Sequence, residues 1–130
     1  MSSPFPLPGL PVRGSKTGKP IMALFDLLGR TWALGIVWNL SEKACTFREL
    51  QSRCENISPT LLNTRLKELQ GTLLLEKTLQ GYALTHAGRE LFVLIEPLGQ
   101  WSMQWAGYID DTNLVSNSLI KDLEVKSNEC

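Results

Sequence analysis

Leucines recur on a helical period along the middle of the chain: Leu62, Leu66 and Leu69 share one face at about 100° per residue. Ser58 can cap the first free amides, and Pro59 suits the first helical position because its missing N–H is not needed there. The opposite face gathers Thr60, Asn63, Thr64 and Lys67. A merely solvated face more often carries several Glu/Lys pairs. Short polar side chains rich in donors, with a single cation, fit a surface that reads another molecule. Upstream, Thr46-Phe47-Arg48-Glu49 has the form of a capping box, opening a helix from about Phe47 to Cys54 with Phe47, Leu50 and Cys54 on its apolar side. Glu55-Asn56-Ile57 leaves room only for a turn. Two short helices so joined predict a helix-turn-helix over Thr46–Leu69, with its second helix entering the DNA major groove.

The flanking patterns extend this unit. Met1 to Thr17 holds Pro4, Pro6, Pro8 and Pro11, which forbid a helix, so residues 1–17 are expected to form a disordered arm. Pro20 begins a helix striped by Ile21, Leu24, Phe25 and Leu28, which Gly29 can end. A second helix is expected from about Trp32 to Leu40, burying Trp32, Ile36, Val37 and Leu40. Gly35 within it implies a closely packed neighbour. Leu73–Lys77 and Tyr82–Thr85, joined by Thr78–Gly81, read as a small β-hairpin. Thr85 can cap a long helix striped by Leu91, Leu94, Ile95, Leu98, Trp101, Trp105 and Tyr108, which Pro97 should bend or divide. That apolar length exceeds the needs of one small domain and points to a homodimer. Residues 110–130 are expected to be a flexible or weakly helical tail. The fold class is therefore mainly α with a small β-hairpin: a winged helix-turn-helix domain over 18–109 with added N- and C-terminal dimerisation helices.

Charge first argues against nucleic acid, because 13 Lys and Arg balance 13 Asp and Glu. The distribution reverses that reading. Residues 1–70 hold nine cations against five anions, a net +4, leaving −4 for the rest. Fields are largely screened beyond about 8–10 Å at physiological salt, so the basic half can still meet phosphates. Asn63 can pair with adenine, Thr60 and Thr64 can exchange hydrogen bonds or meet a thymine methyl, and Lys67 can reach guanine or phosphate. Arg48 and Arg53 on the preceding helix are placed for phosphates. Arg65 lies nearer the buried side, for phosphate contact or internal pairing. Arg30, Thr46, Ser58 and the wing's Lys77 complete the residues expected at double-stranded DNA.

Other chemistries find little support. His86 has no nucleophile pattern around it, and neither a Gly-rich phosphate loop nor a paired-carboxylate spacing occurs, so no enzyme activity and no cofactor are expected. Cys45, Cys54 and His86 are scattered without zinc-site spacing, so no metal is expected. An odd count of three cysteines implies reduced thiols. Cys54 reads as core, Cys130 is terminal, and Cys45 is the more accessible thiol and the candidate redox site. No apolar run reaches the ~18 residues of a transmembrane helix, and the N-terminus lacks a signal-peptide pattern. A cytoplasmic protein without a membrane partner is expected. The competing function is a winged-helix protein-interaction module that does not bind DNA, which the balanced charge and short neutral wing tip would suit.

The segments Ala23–Trp32, Thr46–Leu50, Ile57-Ser58-Pro59, Arg65–Leu69 and Tyr82–Thr85, with Gly88 and Leu91, in that order and spacing, resemble the HxlR-type winged-helix transcriptional regulators. The likeness covers about residues 19–108. It implies a bacterial, dimeric, DNA-binding regulator with dimer contacts from the first helix (Ile21, Leu24) and the last (Leu94, Leu98, Trp101, Trp105, Tyr108), answering to a small-molecule or redox effector. Lys19 stands where many members carry a cysteine, and Leu73 where a glycine usually precedes the wing strand.

Overall fold

A computed structural model describes residues 5–112. The order is α1 (Pro20–Leu28), α2 (Ala33–Asn39), α3 (Phe47–Arg53), α4 (Pro59–Gly71), β1 (Leu75–Thr78), β2 (Gly81–Leu84) and α5 (His86–Thr112). The chain divides into one unit ending at Val93 and another beginning at Leu94. The core of the first unit includes Ile36, Val37, Leu50, Cys54, Leu62, Leu66 and Leu69, which are almost wholly buried.

The predicted local signals act as expected. Thr46 accepts from the Glu49 amide at 3.2 Å while the Glu49 carboxylate accepts from the Thr46 amide at 3.0 Å, closing the capping box. Hydrogen bonding from Thr46, its backbone amide first and its side chain second, holds the Glu49 carboxyl below its ordinary pKa. At the other end of α3, Glu55 and Asn56 take φ of 56° and 59°, and the Asn56 amide donates to Gln51 O at 2.9 Å. That left-handed pair turns the chain sharply, so buried Ile57 and the Ser58 cap begin α4 at once; Ser58 Oγ accepts from the Leu61 amide at 3.1 Å. The hairpin pairs Leu75 with Leu84 and Thr78 with Gly81, leaving a tip of Leu79 and Gln80. A further bridge joins Cys45 to Tyr82 through bonds of 2.9 and 2.8 Å, tying the wing to the segment before α3. Gly81 makes this closeness affordable: its φ is +116°, and a Cβ there would strike the Cys45 carbonyl.

Three expectations need correction. Residues 5–17 are not loose. Phe5 lies against Gly71 of α4, the Gly9 amide donates to Gly18 O at 2.8 Å, and Val12 and Ser15 bridge each other. Proline excluded a helix there, but apolar anchors such as buried Pro6 fix the segment without one. On α1 the buried residues are Ala23 and Leu27, whereas Ile21 and Phe25 are 49% and 60% exposed. Trp32 does not join α2. It caps the helix in the left-handed region (φ 69°) and is half-buried, with its indole so close to Gly35 that a Cβ would stand 2.6 Å from Cε3. Of the two outcomes expected at Pro97, division does not occur: α5 stays one helix. The expected tail beyond Thr112 lies outside the described residues.

The end of α4 yields a stability prediction. The Leu74 amide donates to Leu69 O and the Leu73 amide to Gln70 O, at 2.9 and 3.0 Å, a Schellman cap with Leu73 at the left-handed position (φ 66°). Leu73 is 73% exposed, so little packing offsets the conformation. Leu73→Gly is expected to raise stability by about 0.5–1 kcal/mol, the relieved strain exceeding the extra chain entropy of glycine. A urea midpoint that falls would reject this.

Candidate nucleic-acid interface

α4 is two-sided. Leu62, Leu66 and Leu69 are buried, while Thr60, Asn63, Thr64 and Lys67 are all exposed, so the side expected to read DNA is the side left uncovered. Thr64 Oγ1 donates to Thr60 O at 3.0 Å, which commits its hydroxyl proton and leaves its methyl and lone pairs for contact. Arg48 and Arg53 on α3 are exposed, as is Lys77 on the wing, where its Nζ sits 5.6 Å from the Tyr82 ring centroid in a cation–π contact. Thr46 and Ser58 are exposed too, although each already serves as a helix cap.

Two of the expected cations are turned inward. Arg30 pairs with Asp26 (Nε to Oδ1, 3.3 Å) and with Glu68, and its side chain is 9% exposed. Arg65 donates from Nε to Thr31 O at 2.7 Å and from Nη1 to Glu68 Oε1 at 2.8 Å. Arg30 and Arg65 therefore link α1, α4 and the corner after α1 rather than facing solvent. Of the two uses expected for Arg65, internal pairing is the one observed. Burial pushes the Asp26 carboxyl up, but hydrogen bonds from the Arg30 side chain and Arg13 backbone, with both positive charges, prevail and hold it below its ordinary value. Burial likewise lowers Arg30, and Asp26 and Glu68 more than reverse it. The signal that sequence reasoning missed is Glu68, a buried acid on the flank of α4 between its apolar and exposed sides.

The thiols are shielded. Cys45, expected to be accessible, is fully buried because its backbone pairs with Tyr82; its Sγ lies 3.7 Å from Lys43 O. Cys54 is core as expected, and burial raises its pKa. Cys130 lies outside the described residues. Among the described residues no cluster of His, Cys, Asp and Glu could hold a metal, and no single helix is long and apolar enough to cross a membrane.

A capped helix pair with a short turn, followed by a two-stranded wing, defines a winged helix-turn-helix, the architecture of DNA-binding regulators. The model of the HxlR-like helix-turn-helix family matches residues 27–110, and the chain belongs to that family. It is 27% identical over 88 residues to the HTH-type transcriptional regulator MJ0925 of Methanocaldococcus jannaschii, covering 65% of this chain and 83% of the other. It is 29% identical over 96 residues to the HTH-type transcriptional regulator YdzF of Bacillus subtilis, covering 68% and 88% respectively. Among solved structures it resembles quinone-bound YodB from B. subtilis, with a TM-score of 0.59 and 29% identity over 65% of this chain and 94% of that one. The chain is thus a transcription regulator of the DNA-binding HxlR class.

Proposed function

We propose that this chain binds operator DNA as a homodimer, with α4 reading the major groove and Arg48, Arg53 and Lys77 holding phosphates. The observation that carries this reading is the exposed row Thr60, Asn63, Thr64 and Lys67 on a helix whose other side is locked into the core. Donors and acceptors held rigidly at a helix surface suit base edges, whereas long cations suit phosphates. Arg30 and Arg65 are left out of the proposed contacts, because their charges are paired with Asp26 and Glu68. A dimer would place two α4 helices at half-sites about one helical turn, or a multiple of it, apart.

Binding to the protein's own upstream region and to random duplex, measured across a salt series, tests the reading. Asn63→Ala is expected to cost about 1–3 kcal/mol on the operator and little on random DNA. Arg48→Ala should weaken both alike and reduce the salt slope by roughly one unit. Equal loss on both duplexes for Asn63→Ala would remove the base-reading role. Absence of salt-dependent duplex binding in the wild type would favour the protein-interaction module instead.

A further inference from the structure

The N-terminal arm is pinned at separated points. Phe5 rests on Gly71, and the Arg13 amide donates to Asp26 Oδ2 at 3.1 Å. Between these points the arm stands off α1 and leaves a cavity of about 390 Å³. Its walls include Pro6, Leu7 and Pro8 of the arm, Ile21 and Leu24 of α1, and Leu74 ahead of β1. Five of those six wall residues, three from the arm and two from α1, lie outside the residues 27–110 that the family model matches.

We propose that this cavity is an effector site for an uncharged, largely apolar small molecule. Its volume falls in the usual range for ligand pockets, roughly 300–1,000 Å³. No charged side chain lines it. The one hydroxyl in its wall, that of Thr72, already donates to Glu68 O at 2.8 Å. A ligand therefore gains burial and shape complementarity but finds no partner for a charge, and an ionised molecule would be strongly disfavoured. The concave space between two segments suits a small molecule better than the broad face of a second subunit, although Ile21 and Leu24 also belong to the expected dimer contacts.

The arm that forms one wall of the cavity is tied to the reading helix through Arg13, which lies outside the cavity itself. Arg13 holds Asp26, Asp26 holds Arg30, Arg30 holds Glu68, and Glu68 holds Arg65; the last two lie on α4 with Asn63 and Lys67. A molecule that shifts the arm alters the first bond of this chain and the Phe5 contact at the far end of α4. This effector role rests on the DNA-binding reading above; the existence of the site does not.

The test uses the full chain and the uncharged fluorophore N-phenyl-1-naphthylamine. Titration is expected to show saturable binding with one molecule per chain. Leu7→Asp, which places a charge in the wall, and Leu7→Trp, which fills the space, should each weaken it by at least about tenfold with the circular dichroism unchanged. Duplex affinity should differ by more than about threefold with and without the fluorophore in the wild type, and not in the Leu7 variants. Binding that does not saturate, or that survives both substitutions and so resides elsewhere, overturns the site. So does binding that is lost as the protein dimerises, since a second copy would then be the occupant. Saturable binding at Leu7 with unchanged duplex affinity overturns the effector role alone. If no duplex binding is found at all, the DNA reading fails while the Leu7 dependence still decides the site.

Discussion

Glu68→Ala is expected to destabilise the fold by about 3–5 kcal/mol, the largest effect of any single substitution considered. Glu68 is 7% exposed, and its carboxylate accepts from Arg30 and Arg65 on its two oxygens. With Asp26, the four side chains balance two negative charges against two positive. Removing Glu68 leaves a net positive charge among groups that are 14% exposed or less. Arg30 keeps Asp26 and Arg65 keeps the Thr31 carbonyl, so the loss should fall toward the lower end of the range. Glu68→Gln preserves shape and one acceptor and should cost less. A urea-denaturation loss below about 1 kcal/mol for Glu68→Ala would show that water replaces the carboxylate freely.

The same network sets an acid limb. The folded Asp26 carboxyl titrates below its ordinary value of 3.8, so its contribution to stability is fully present above that value. It is lost as the pH falls through the lower, folded value. Asp26→Asn should therefore lower stability at neutral pH and flatten the decline below about pH 4. An unchanged acid limb in that variant would place the titrating carboxylates elsewhere.

Local chemistry made most of the first unit legible from sequence. The Thr46–Glu49 box and the Ser58-Pro59 start each act within a few residues and are found as expected; the hairpin is present too, with its strands at Leu75–Thr78 and Gly81–Leu84 rather than Leu73–Lys77 and Tyr82–Thr85. What depended on distant partners was not legible. Arg30 and Glu68 are 38 positions apart, and nothing near either one announces the pair, so Arg30 looked like a DNA contact. Cys45 looked open because a cap follows it, but the strand that buries it arrives only at Tyr82. On α1 nearly every side is apolar, so periodicity could not tell which side faces inward. Small Ala23 allows close approach, and with Leu27 it takes the core, leaving Ile21 and Phe25 outside. The arm shows the converse limit: four prolines state what cannot form, not where the chain will rest.

Replacing both Trp101 and Trp105 with alanine is expected to weaken self-association at least about a hundredfold. Leu94, Leu98, Trp101, Trp105 and Tyr108 repeat at alternating spacings of four and three, the seam pattern of paired helices. All five are more than half exposed in the single chain, and the two indoles are stacked with centroids 6.2 Å apart and planes within 6°. A contiguous apolar stripe of this kind on one helix marks an interaction surface, and large flat aromatics dominate the energy of such surfaces. Trp101 and Trp105 are each 52% exposed in the single chain. Their exposure confines the expected loss to association, so the melting temperature should lose its dependence on protein concentration rather than collapse. Sedimentation should show the wild type as a dimer at tens of micromolar, an order within the ordinary range of dimer affinities. A monomeric wild type at that concentration, or a double variant that still dimerises as tightly, would remove this stripe as the subunit contact and leave α1 as the surface to examine.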